Sequence, residues 1–463
     1  MTNEPGGPPD DGKDDQPNPF KGTPFEQIFN AFGAAGGAAG LLGAAGGTGG
    51  PAGMPGMPDL SMLMSQMQAM MAPHSGSVNW SLAKDVARRT VAQTPDPSAT
   101  DRQRSMVADA LRLADHWLDS VTELPSGVHA TAAWSRAEWV EQTIPVWQGL
   151  VEPVAEHVVS AMGNALPEEA RAMAGPLIGL LGQAGGAMFG SQVGQALGGL
   201  AGEVLSASDI GLPLSPDGTA ALVPANIAVF AEGLAVSSDD VLLYLALREA
   251  AHQRLFAHVP WLRAHLVAAV EDYGRGTTID VSKIESSMRE IDPNNPASIA
   301  EALEGGLFEP EKTPAQQAAL IRLETALALV EGWVDEVVGQ ATESRMPDAA
   351  KMQEAVRRRR AAGGPAESAF AALVGLELRP RRLRDASALW GSLRSRKGQA
   401  ARDAVWSHPD LLPTSADLDD PLGFQEGSAP TSEMLTDEAF DAAVADLLDR
   451  EAGPDDTGGP PKK

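Results

Sequence analysis

Between Trp80 and about residue 408, apolar positions recur with the three- and four-residue spacing of helices, and only rarely with the alternation of strands. The spacing predicts helices over Asp101 to Leu124 and over Ser135 to Leu166, the latter with Pro145 as a kink. A further helix runs from Ser237-Ser238-Asp239-Asp240 towards His258; Ser238 is the expected N-cap, and the two aspartates suit the positive end of the helix dipole. Pro260 opens the next helix, and Thr313-Pro314 starts a long one reaching about Ala341. Residues 347–395 predict more helices around the Gly363-Gly364-Pro365 break. Strand signal is confined to Ala220 to Val223, beside the turn Ser215-Pro216-Asp217-Gly218. The expected fold is a mainly α body over residues 78–408 with little strand.

The run from Met173 to Gly202 has no charged residue and carries Gly182, Gly186, Gly190, Gly194, Gly198 and Gly202 four apart. On a helix that row leaves a groove free of side chains, which another helix can approach closely. Membrane helices use the same device. Gln183, Ser191, Gln192 and Gln195 interrupt the run, so a helix buried in a soluble body is expected rather than a membrane span.

Outside this body the pattern fades. Residues 1–75 are expected to form a Gly/Ala/Pro-rich disordered tail that ends in a Met-rich helix over Leu60 to Met71. Residues 409–463 are expected to form an acidic, mostly disordered tail. In it, Thr436 could cap a short helix with Phe440, Val444, Leu447 and Leu448 on one face.

Charge sharpens the division. The chain has 62 acidic and 35 basic side chains, a net −27, and the two tails supply more than half of the imbalance. Such a chain repels nucleic acid and anionic lipid. The exception lies between Lys351 and Arg402, where thirteen basic residues face four acidic ones and Arg357 to Arg360 are consecutive. A solvated helix face, or a dock for the acidic tail or a partner, accounts for that cluster. Nucleic acid is the weaker reading, because no aromatics interleave with the arginines. Cysteine is absent, excluding disulfides, thiolate metal sites and a thiol nucleophile. The polar start, Met1 to Asp15, has no apolar segment of a secretory signal, so a cytoplasmic protein is expected.

Candidate chemistry concentrates in Leu247-Arg248-Glu249-Ala250-Ala251-His252. Helical geometry puts Leu242, Leu245, Glu249, His252 and Phe256 along one stripe, so a carboxylate and an imidazole lie on a face expected to be buried. The spacing is that of His-Glu-x-x-His with Arg248 in place of the first histidine. In the intact motif two histidines bind zinc one turn apart and the glutamate polarises the metal-bound water. Arginine keeps its proton and cannot be a ligand. On the later helix Leu320, Leu323, Leu327, Glu331 and Val334 share a stripe, making Glu331 a second buried carboxylate: a site residue, or an ordinary paired core glutamate. His258, His265 and His408 read as surface, capping or loop histidines.

The block Arg248-Glu249-Ala250-Ala251-His252-Gln253-Arg254-Leu255-Phe256, with Val259-Pro260-Trp261-Leu262, resembles the motif block of the zincin-like metallopeptidase family of actinobacteria. So do Ile210-Gly211-Leu212-Pro213-Leu214, the glycine-rich helix before it, and Leu329-Val330-Glu331-Gly332-Trp333. The resemblance implies a zincin-like helical body and a zinc-dependent hydrolase acting on peptide or protein. It also implies Glu249 as general base, with His252 and Glu331 as zinc ligands. The sequence departs from the family's full motif at Arg248, which opposes zinc. The alternative is therefore a non-catalytic zincin-fold binding or scaffold protein with an Arg248–carboxylate pair in place of the metal.

Overall fold

The computed structural model describes residues 76–164, 175–275, 313–361 and 382–424, all within one compact unit. Expectations for residues 1–75, for the acidic chain after Phe424 and for the Gly363-Gly364-Pro365 break lie outside the described residues. Within them, helices dominate: α1 (Trp80–Val91), α2 (Asp101–Leu118), α3 (Arg136–Asn164), α4 (Gly175–Ala201), α5 (Pro224–Ala231), α6 (Ser238–His258), α7 (Pro260–Arg275), α8 (Pro314–Thr342), α9 (Ala349–Ala361), α10 (Leu383–Lys397), α11 (Gln399–Ala404) and α12 (Ser415–Asp419). Two four-residue strands, β1 (Ala130–Ala133) and β2 (Thr219–Leu222), pair in parallel with Ala130 opposite Thr219. The strand expected at residues 220–223 is thus present one residue earlier; its partner β1, Ala-Thr-Ala-Ala, carries too little β-branched or aromatic character to be seen in the sequence.

Local signals set most helix starts. Thr313 caps α8 in a box with Gln316, each side chain bonding the other's backbone amide. The cap of α6 is Ser237 rather than Ser238: its side chain accepts from the Asp240 amide, which moves the helix start by one residue. Thr414 and Asp417 form another capping box at α12, and Leu418 and Phe424 are buried, so the packed body runs past residue 408 to Phe424.

The glycine row of α4 meets α1. A methyl group at Gly190, Gly194 or Gly198 would collide with the Asn79 carbonyl, the Ala83 carbonyl and Val86, or the Thr90 side chain. The groove is therefore filled by a neighbouring helix, and the Asn79 amide bonds the Gly186 carbonyl across it at 2.9 Å. No described helix is long and apolar enough to cross a membrane.

At the centre lie α6 and α8. In α6, every residue from Tyr244 to Leu255 is buried, and in α8 so is nearly every residue from Leu323 to Val338. A helix buried on all sides must pair each of its polar residues inside the protein. Close approach there depends on two glycines. Gly332 lets α10 cross at Ala386 and Ser387, and Gly211, with φ +78°, lets its loop pass the Glu331 carboxylate.

Candidate metal centre

The Arg248 guanidinium of α6 reaches across to α8, where its Nη2 lies 2.6 Å from Glu331 Oε2. His252, one turn along α6, brings Nε2 to 2.9 Å from Glu331 Oε1. A third cation enters from α9: Arg360 Nη2 lies 2.8 Å from the same Oε1. Both oxygens of Glu331 are thus engaged, by three cationic or nitrogen donors from two other helices. Burial alone would push the Glu331 carboxyl upward, but Arg360, His252 and Arg248 outweigh it and hold the group at about 2. Burial works against the charge on Arg248 too, yet Glu331, Tyr244 and Asp335 raise its pKa further. The Tyr244 hydroxyl, buried beside it, is pushed up to about 12.

Around this contact lies a second tier. Asp335, one turn after Glu331, accepts from Arg357, Ser387 and Gln353. Its Oδ1 stands 3.8 Å from Arg248 Nη1, and neither atom has a hydrogen-bond partner. Asp209 is bonded by Arg359 at 2.8 Å and by the Leu205 amide, while its carbonyl accepts from Arg360. Burial raises the Asp209 carboxyl, but Arg359 and Arg360 lower it below the usual range.

Glu249 faces another way. Its Oε2 accepts from the Ser208 amide at 3.0 Å and its Oε1 from Gln253 Nε2 at 3.0 Å; Gln253 in turn reaches the Ser208 and Ser215 hydroxyls. Among the described residues no salt bridge reaches it, and burial pushes its carboxyl up against the opposing pull of His252, Ser206, Gln253 and Ser208.

The structure thus brings together Arg248, His252 and Glu331 and turns Glu249 to the Ser208 side of α6. His258 lies exposed with Nε2 3.2 Å from the Ser126 carbonyl. His265 is edge-on to Trp261, and exposed His408 accepts from the Asp410 amide. Sequence reasoning missed Asp209, Asp335 and Arg360. Asp335 had a signal, since it follows Glu331 by four residues and so shares its face. Arg360 had none, because its run read as surface.

The donor set does not fit zinc. His252 Nδ1 lies 2.8 Å from the Arg248 carbonyl, and Nε2, the nitrogen left to meet a metal, lies 2.9 Å from a Glu331 oxygen that Arg360 also bonds. Two ligands of a tetrahedral zinc with bonds near 2.1 Å stand about 3.4 Å apart, whereas these atoms are 2.9 Å apart, in direct hydrogen-bond contact. Among the described residues, no group of three or more His, Asp or Glu is arranged to hold a metal ion.

Comparison with known proteins places the chain. The model of a family described as zincin-like metallopeptidase matches residues 78–424. A crystal structure of a presumed hydrolase with a novel fold from Chloroflexus aurantiacus superposes with a TM-score of 0.54 at 22% identity. It covers 74% of this chain and 96% of its own, a likeness of fold. No curated protein matches the sequence.

Proposed function

The chain belongs to the zincin-like metallopeptidase family, and we propose that it is a non-catalytic member, a binding or scaffold protein in which guanidinium groups stand where relatives with the full motif hold zinc. The observation that carries this reading is the engagement of both Glu331 oxygens by Arg248, Arg360 and His252. A carboxylate buried as Glu331 is needs positive charge beside it, and here two arginines supply it. Burial supports the same conclusion. Arg248 is 5% exposed, Glu249 0%, His252 1% and Glu331 3%, so in this conformation no peptide reaches them. The cluster ties α6, α8 and α9 together, and recognition falls to the outer surface of the fold.

A second reading keeps the family's activity: a zinc-dependent hydrolase with Glu249 as general base and His252 and Glu331 as ligands. What favours it is Glu249, a buried carboxylate with a raised pKa beside His252, as general bases often have. Metal analysis of protein purified without added zinc separates the two. The non-catalytic reading expects well under one zinc per chain and no cleavage of a mixed peptide library. Stoichiometric zinc, with cleavage that a chelator abolishes and zinc restores, would establish the hydrolase.

A further inference from the structure

The run Arg357-Arg358-Arg359-Arg360 closes α9, where cations suit the negative end of the helix dipole. Three of the four turn inward. Arg357 bonds Asp335, Arg359 bonds Asp209 and the Glu203 carbonyl, and Arg360 bonds Glu331 and the Asp209 carbonyl. Only Arg358 stays out, 71% exposed beside Glu354 on its own helix.

Arg360 holds a particular place among them. Its Nη2 and His252 Nε2 lie 2.8 and 2.9 Å from the same oxygen, Glu331 Oε1. That is the atom a metal bridging His252 and Glu331 would need. Arg360 also fits poorly: its buried Nε has no hydrogen-bond partner, and it shares the pocket with the like-charged Arg248 and Arg359. A side chain chosen for packing alone would not leave a buried guanidinium nitrogen unpaired, which is costly.

Resting on the metal-free reading above, we infer that Arg360 is a built-in occupant of the metal position: α9 acts as a plug, and zinc is excluded twice, by the ligand lost at Arg248 and by the cation inserted from α9. The consequence is that restoring the ligand is not sufficient. A histidine at position 248 completes a ligand set with His252 and Glu331, but Arg360 still bonds Glu331 Oε1 and repels a dication.

The experiment compares zinc affinity, by competition with a chromophoric chelator, in the wild-type chain, Arg248→His, Arg248→His with Arg360→Met, and Arg248→His with Arg360→Lys. Far-UV circular dichroism checks folding. The plug predicts that the Arg360→Met double variant binds zinc at least about tenfold more tightly than Arg248→His alone, a coupling of about 1.4 kcal/mol or more. The Arg360→Lys double variant keeps the charge and should resemble Arg248→His. Equal affinity in Arg248→His and its Arg360→Met double variant, or no zinc binding in either when folded, overturns the plug and leaves the metal-free reading standing. Stoichiometric zinc in the wild type overturns that reading itself. Should the Arg248→His variants not fold, Arg360→Met alone decides by amide hydrogen exchange. The plug predicts at least tenfold faster exchange in α9, with α6 and α8 little changed; unaltered exchange in α9 overturns it.

Discussion

Helix α8 carries two buried ion clusters a single turn apart, and they differ in how completely they are satisfied. On one side, Glu336 meets Arg402, which is 0% exposed. The Arg402 guanidinium makes five hydrogen bonds, to Glu336, Gln340, the Val121 carbonyl and both oxygens of Asp403. Asp403 in turn accepts from Thr122, the Glu123 amide and Trp333. Every donor of that guanidinium is used. On the other side, around Glu331, the Arg248 Nη1, Arg357 Nε, Arg360 Nε and Asp335 Oδ1 atoms lack partners. The first cluster has the character of a structural pin between α8, α11 and the 121–123 loop. In the second, four arginines meet the three carboxylates Glu331, Asp335 and Asp209, and the geometry is left incomplete. A guanidinium bonds only in its plane and along its N–H directions, whereas a metal ion attracts from every side.

Breaking each cluster tests that difference. The largest effect is expected at Arg402: alanine there removes the cation beside Asp403 and leaves Glu336 only the part-exposed Arg394, and chemical denaturation should show a loss of about 5 kcal/mol. Arg248→Ala should cost less, about 3 kcal/mol, because Arg360 and His252 still hold Glu331. Were Arg248→Ala the more damaging of the two, the clusters would have to be ranked the other way.

Acid sharpens the comparison. Glu331 is held at about 2 in the folded chain, below the roughly 4.3 of an unfolded glutamate. Its contribution is therefore complete above the unfolded value and is lost as the pH falls from there towards 2, about 3 kcal/mol in all. An acid titration of stability should show that slope in the wild type, and Glu331→Gln should lack it in the same window.

The smallest effect belongs to Glu249. Burial raises its carboxyl, so the fold favours the neutral form. Its contribution to stability is present below the unfolded value and lost as the pH rises through the raised one. Glu249→Gln should thus leave stability at pH 7 unchanged or slightly higher, within about 1 kcal/mol. A loss of several kcal/mol on denaturation would show that the charged form is needed, and the contrast with Glu331 would collapse.

Much of this was legible in the chain itself. Thr313 and Gln316 announce the start of α8, and the four-residue glycine row of α4 announces a helix packed into its groove. Glu249, His252 and Glu331 were legible as buried ionisable groups for a physical reason, since such residues on an apolar face must find partners, whereas the family resemblance is what suggested that Arg248, His252 and Glu331 meet. The Arg357–Arg360 run was not legible. Its arginines were expected on a solvated face or opposite the acidic tail, and three of them point into the body. A long flexible side chain with a charged tip can serve either environment, and local sequence does not say which.

By itself, then, the sequence determined the helical class, the buried glycine seam, and the Arg-Glu-x-x-His spacing with a cation at Arg248, since each depends on spacing and residue chemistry within a single element. Tertiary structure decided the rest. It brought α9 over the Glu331 carboxylate, turned Glu249 to Ser208, and left Arg248 Nη1 and Asp335 Oδ1 facing each other at 3.8 Å. Those outcomes depend on how helices from distant parts of the chain cross, 83 residues apart for Arg248 and Glu331. No periodicity within one helix carries that information, because it is set by the packing of all of them at once.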